Sequence, residues 1–165
     1  MIARIRDGDL AAVRELFTRH SGPLLGYAFC LLRDQPTAEA VVQEVFLELY
    51  RNRERCDPKA LMPAVLYRAV TCACLETLDA ANGSDCWRHP AAVNTETSAV
   101  ATALGRLSPR QRAAFLLSRM RGLDSRDVAE CLGVAPETVK SLVRGATGVV
   151  LDELRRTPGA LADAR

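Results

Sequence analysis

The 165-residue chain contains no apolar run of the roughly 20 residues needed to cross a bilayer. Its opening stretch, MIARIRDGDL, carries acids where a signal peptide would carry its apolar region. A cytoplasmic protein without direct membrane insertion is expected. No apolar-polar alternation of useful length appears, which argues against sheet, and no internal repeat is visible. Histidine is scarce, with only His20 and His89. There is no glycine-rich phosphate loop leading to a helical lysine and no nucleophile set beside a base. An enzyme is therefore the least expected class, and no cofactor is expected.

A disulfide framework is also unexpected in a cytosolic chain of this size, although six cysteines are present. Cys30 and Cys131 fall within apolar helical patterns and read as small packing residues. Cys72, Cys74, Cys86 and His89 are of types that zinc accepts. Two residues apart on a helix, however, point about 200° apart, so Cys72 and Cys74 would not face one ion within a helix. Ordinary buried or linker cysteines are the preferred reading, and no metal site is favoured.

Apolar residues make up 48% of the chain and charged residues 25%, a globular composition. The net charge of +2 is unevenly spread. Residues 1–85 hold 10 Lys/Arg against 12 Asp/Glu, and residues 86–165 hold 12 against 8. The second half is the better candidate for a polyanionic partner.

The apolar spacing is helical throughout. Residues 9–33 read as helix interrupted at Ser21-Gly22-Pro23, followed by a turn at Asp34-Gln35-Pro36. Thr37 is the expected cap of a helix to about Asn52, with Glu39 in its first turn, where a negative charge suits the helix dipole. Val41, Val42, Val45, Phe46 and Leu49 form its expected inward stripe, and Glu44, Leu47, Glu48 and Arg51 share another face. Leu61–Leu78 is helical by pattern. Residues 79–98 then turn polar, with Asn-Gly, Gly-Ser and His-Pro pairs. The expected fold is all-α: two small helical domains, 1–80 and 99–157, joined by a flexible linker, 81–98, with a frayed tail, 158–165.

In the second domain, Ser108 is an expected cap, Pro109 fits the first helical position, and Gln111 completes a capping box. That helix should run to about Arg121 and end at Gly122. Asp124 or Ser125 caps a short helix to Leu132, Gly133 makes a left-handed turn, and Pro136 opens the next helix. Ala129 is small where the two helices cross, and Val128, Leu132, Val134, Val139 and either Leu142 or Val143 supply their core. This is helix-turn-helix spacing. Glu137, Thr138, Lys140, Ser141 and Arg144 lie on the outer face: the last four can donate to phosphates and base edges, and Glu137 can accept from a base amino group.

The segment LSPRQRAAFLLSRMRGLDSRDVAECLGVAPETVKSLVRGA resembles region 4 of bacterial group IV (extracytoplasmic-function, ECF) sigma factors, of the sigma-70 superfamily. The resemblance rests on Leu107, Arg110, Gly122, Leu123, Val128, Ala129, Leu132, Gly133, Thr138, Val139, Lys140 and Ser141. PTAEAVVQEVFLELYRN, at 36–52, resembles that family's region 2.2, and VLYRAV, at 65–70, the start of region 2.3. The order of region 2, linker and region 4 in so short a chain is what makes the match specific. The resemblance implies a transcription initiation factor that binds core RNA polymerase through the β′ clamp helices and β flap, and reads promoter DNA. An anti-sigma factor is a further implied partner. Polymerase contact would fall to Gln43, Glu44, Leu47 and Glu48, and the −10 element would open near Tyr67 and Arg68. The −35 element would be read by Glu137, Thr138, Lys140, Ser141 and Arg144, with Arg110 and Arg126 on phosphates.

Two departures stand out. Val65 and Cys72 replace the family's Trp and Asn, and after Arg68 no cation occurs until Arg88, while Glu76 and Asp79 do. On the recognition helix, Leu142, Gly145 and Thr147 stand where the family carries cations. These losses keep two alternatives in view: a sigma-like mimic or polymerase-bound regulator without full promoter opening, and a stand-alone helix-turn-helix regulator.

Overall fold

The computed structural model describes residues 2–55, 62–81 and 98–156, and every regular element among them is helical. The chain divides into two compact units, Met1–Ser84 and Asp85–Arg165. Of the candidate zinc ligands, Cys86 and His89 lie outside the described residues, as do most of the expected linker and the expected tail.

The first unit contains α1 (Ile2–Arg6), α2 (Leu10–Leu32), α3 (Gln35–Arg51) and α4 (Met62–Ala81). Asp9 starts α2: its carboxylate accepts from the Ala11 and Ala12 amides and from Arg4. Leu16, Leu24, Ala28 and Leu31 of α2 are buried against Val42, Val45 and Phe46 of α3 and Leu66 and Val70 of α4. Each such aliphatic side chain contributes about 1.5–3 kcal/mol. The Phe17 and Phe46 rings meet edge to face at 5.0 Å, tying α2 to α3.

Two expectations fail here. The helix does not break at Ser21-Gly22-Pro23, because α2 continues through Pro23. An internal proline removes one backbone hydrogen bond and costs about 3 kcal/mol. Leu24, Tyr27, Ala28 and Leu31 are buried on the far side of it at helical spacing, and that packing outweighs the local cost. The cap of α3 is Asp34, not Thr37. The Asp34 carboxylate accepts from both the amide and the hydroxyl of Thr37, which hold it below the usual carboxylate range. Glu39 consequently lies beyond the first turn, where its carboxylate accepts from Gln35. Asp is as good a cap as Thr, and Pro36 is tolerated in the first turn, so the cap lies three residues upstream of the expected one.

The second unit contains α5 (Ser98–Arg106), α6 (Pro109–Phe115), a π-helical turn (Leu116–Met120), α7 (Ser125–Leu132) and α8 (Pro136–Arg156). The Ser108–Gln111 capping box forms as expected. Regular α geometry ends at Phe115, however, and the wider turn carries the chain to Gly122, at φ +66°. Asp124, rather than Ser125, caps α7. Gly133 ends α7 at φ +62°, a conformation that costs any side-chain-bearing residue, and its amide donates to the Ala129 carbonyl.

Packing of α8 against α5, α6 and α7 builds the core of this unit. Its buried stripe is Val139, Ala146, Val150 and Glu153, with Leu142 and Val143 both half-buried. Arg112 is buried as well. Its Nε donates to the Leu104 carbonyl at 2.7 Å and one terminal nitrogen to the Leu107 carbonyl at 3.3 Å. The cation thereby caps the end of α5, where its charge suits the helix dipole. Arg106 and Glu153 make a 2.8 Å ion pair between α5 and α8.

Candidate nucleic-acid interface

The geometry of the second unit starts from Gly133. The left-handed residue reverses the chain within two positions, so Pro136 opens α8 directly beside the buried side of α7. Ala129 is 5% exposed and Val128 and Val139 are essentially buried, so the two helices meet on small or branched side chains. With Val139 turned inward, Glu137, Thr138, Lys140, Ser141 and Arg144 are all exposed. The Ser141 hydroxyl donates to the Thr138 carbonyl at 2.8 Å, which leaves its lone pairs outward. Arg110 and Arg126 are exposed as well. All seven residues expected to face the −35 element are thus on the surface of this unit.

On α3 of the first unit, Gln43, Glu44, Leu47 and Glu48 are exposed, Leu47 by 50%. Val42, Val45 and Phe46 point inward, as expected, while Val41 and Leu49 are only half-buried. Arg51 reaches back across the Leu47 turn to pair with Glu44 at 2.8 Å. Both partners are mostly exposed, so the pair contributes little to stability, about 0–1 kcal/mol.

The two residues expected at the −10 element separate. Arg68 is exposed on α4, and Cys72, Glu76 and Asp79 are exposed with it. Tyr67 is 7% exposed, its ring set edge-on to Tyr27 at 5.4 Å, and its position is that of a core residue. It follows Leu66 and precedes Val70 in the buried stripe, and an aromatic ring is among the most effective residues for filling such a space. Cys74 is likewise inward, and burial pushes its thiol up to about 12. Cys72 points outward from the same helix, so the two do not face one ion. Among the described residues no group of three metal-ligating side chains converges.

Sequence reasoning passed over two arginines. Arg112 occupies the stripe Pro109, Arg112, Ala113, Leu116, Leu117, and a cation at such a position must be buried and hydrogen-bonded. That spacing was a usable signal. Arg119 lies in the π turn, where a wheel of 3.6 residues per turn no longer applies.

Two helical units, the second built around a helix-turn-helix, define the architecture of a sigma-70-type transcription factor. Residues 16–80 match the family Sigma-70 region 2, and residues 97–146 match Sigma-70, region 4. The chain is 34% identical over 147 residues to the ECF RNA polymerase sigma factor SigM of Mycobacterium tuberculosis, spanning 81% of this chain and 72% of the relative. It is 26% identical to the RNA polymerase sigma factor CarQ of Myxococcus xanthus, across 81% of this chain and 83% of that one. Among solved structures, the sigma factor RpoE in complex with the anti-sigma factor NepR from Bartonella quintana superposes with a TM-score of 0.76 at 20% identity, over 86% of this chain and 96% of that one. CnrH in complex with the cytosolic domain of CnrY gives 0.73 at 20% identity, over 94% and 95%. The chain belongs to the ECF sigma factor family and acts in transcription initiation through core RNA polymerase and promoter DNA. None of its helices among the described residues is long and apolar enough to cross a membrane.

Proposed function

We propose that this chain is a non-enzymatic, cytoplasmic specificity factor whose two units divide the promoter between them. The exposed face of α3, with Gln43, Glu44, Leu47 and Glu48, docks on the β′ clamp helices. An apolar residue ringed by carboxylates suits a basic, partly apolar helix pair. Residues 1–80 and 99–157 serve as the polymerase and −10 unit and the −35 unit, with 81–98 between them, and the β flap is a further polymerase contact. Arg68, rather than the buried Tyr67, presents α4 to the −10 element. Glu137, Thr138, Lys140, Ser141 and Arg144 read the −35 element from the major groove, with Arg110 and Arg126 on phosphates. The observation that carries this reading is the row of five exposed polar and charged residues on α8, set immediately after the Gly133 turn. One of the similar solved structures is a sigma factor captured with the anti-sigma factor NepR, and another, CnrH, is held in complex with the cytosolic domain of CnrY. An anti-sigma partner is proposed here too.

A second reading has one observation in its favour. The outer face of α4 beyond Arg68 exposes Glu76 and Asp79 and, among its described residues, no cation. Such a face repels phosphate, and a polymerase-bound mimic that does not open DNA unaided fits it.

Tethered cleavage separates the two. An iron chelate is attached either to Cys72 or to a cysteine substituted at Ser141, with the other accessible thiols replaced by serine, and holoenzyme is assembled on promoter DNA. The proposal expects cuts near −10 from position 72 and near −35 from position 141. Cuts from position 141 alone favour the mimic, and no cuts from either position overturn the assignment.

A further inference from the structure

A groove of about 620 Å³ runs between the π turn, the start of α7 and the middle of α8. Ser118 and Arg119 enter it from the π turn, Ser125 from α7, and Lys140 and Arg144 from α8. We propose that this groove seats the phosphate backbone beside the −35 element, and that Arg119, on a separate element from the recognition helix, is a positioning cation for it. The inference rests on the −35 reading above and names a contact which that reading lacks.

Three observations converge. First, Arg119, Lys140 and Arg144 border one concavity, and among the described residues none of the three is engaged in an ion pair or side-chain hydrogen bond. Three like charges around one depression repel each other, a cost relieved when an anion enters. Second, the backbone does not supply the anion site by itself. The Asp124 carboxylate already accepts from the Arg126 and Asp127 amides at 2.8 Å each, so the leading amides of α7 are taken and the positive field must come from side chains. Thr147 is also committed, because its hydroxyl donates to the Val143 carbonyl at 2.7 Å, which leaves Ser118 and Ser125 as the hydroxyl donors of the groove. Third, the floor is apolar and kept open. Val143, Gly148 and Leu151 line it, a Cβ built at Gly148 would meet nothing within 4 Å, and Leu151 is 47% exposed. A polar-rimmed groove with an apolar floor fits a sugar-phosphate edge, with the sugar over Val143 and Leu151 and the phosphate at Arg119, while Lys140 and Arg144 on the opposite rim reach past it to the bases. Lys140 and Arg144 are the only cations of α8 before Arg155, so Arg119 adds a third contact from outside that helix.

The test uses holoenzyme assembled from core polymerase and the full chain, with Arg119→Met and Arg119→Lys as variants. Promoter affinity is measured across a salt titration and against a panel of −35 base substitutions. Neutralising one phosphate contact lowers the slope of log K against log salt by about 0.9. Arg119→Met should lose about that much slope while keeping the order of preference among −35 sequences, and Arg119→Lys should retain the wild-type slope. Ethylation interference should show one flanking phosphate that matters to the wild type and not to Arg119→Met. An unchanged slope, with −35 preference intact, overturns the role of Arg119 and leaves the −35 reading standing. A changed base preference overturns it too, since Arg119 would then be reading bases. Weakened binding of core or of an anti-sigma protein by Arg119→Met, with the DNA slope intact, would give the groove to a protein partner instead. If the wild type shows no −35 preference, the −35 reading fails and the groove assignment fails with it.

Discussion

The Tyr27 hydroxyl lies 2.8 Å from Thr71 Oγ1, and Thr71 Oγ1 lies 2.6 Å from the carbonyl oxygen of Tyr67, all within the core of the first unit. A carbonyl only accepts, so the single Thr71 proton goes to Tyr67 and Tyr27 is the donor to Thr71. The relay ties α2 to α4 directly behind the face that carries Arg68. Thr71→Val keeps the shape and deletes both bonds. It should destabilise the first unit by about 1–3 kcal/mol, and Tyr27→Phe, which deletes one, by about 1 kcal/mol. The double variant should cost less than the sum, a coupling readable by urea denaturation.

Docking on polymerase should depend on Leu47 far more than folding does. Half-exposed side chains contribute little to stability, whereas an apolar anchor at the centre of an interface is commonly worth more than 1 kcal/mol. Leu47→Ala should weaken core binding by about tenfold at unchanged melting temperature. Equal core affinity for wild type and variant would remove α3 from the interface.

The two kinds of contact in the second unit should separate in one experiment. Arg126→Ala should weaken all −35 sequences alike and lower the salt slope by about one, whereas Thr138→Ala or Lys140→Ala should flatten the preference at particular bases by about 1–3 kcal/mol. Competition binding of holoenzyme to permuted promoters reads both. A uniform loss in all three variants would mean that α8 reads no bases.

The legible and illegible parts of this molecule divide by how local their cause is. Ser108, Gln111, Gly133 and Pro136 act through their own backbone geometry, and each does in the structure what its residue type predicts. The outward row on α8 followed from one inward residue, Val139, and a regular period. Pro23 misled because its local cost was read without the packing of Leu24, Tyr27 and Leu31 that overrides it. Tyr67 is a different case: the family resemblance implied a place near the −10 element, while Leu66 and Val70 beside it already marked the buried stripe in which its side chain lies. Arg119 was hidden by the π turn, a change of period that no short-range signal announced.

Adding charge to α4 should strengthen promoter opening if that face meets DNA. Glu76→Lys and Asp79→Lys together exchange two exposed carboxylates for two cations beyond Arg68. Binding of holoenzyme to forked −10 DNA should rise several-fold at low salt, and the gain should shrink as salt rises. No change at low salt would place the −10 strand elsewhere.

The thiols of α4 should respond to alkylation in opposite ways. Cys72 is exposed, while burial holds the Cys74 thiol up to about 12, so at pH 8 Cys74 remains a buried, protonated thiol. Iodoacetamide with peptide mass spectrometry should label Cys72 in the native protein and Cys74 only after denaturation. Native labelling of Cys74 at the rate of Cys72 would contradict the packing of α4.

The central claim is that this chain gives core polymerase a promoter preference of its own through two separate surfaces. Run-off transcription with purified core, this chain and a pool of genomic fragments from its host tests it most directly. The account predicts discrete transcripts whose upstream regions share a −10 and a −35 sequence, lost when Lys140 and Arg144 are both replaced by alanine. Stable core binding without any specific transcript, once an anti-sigma factor is known to be absent, would contradict it.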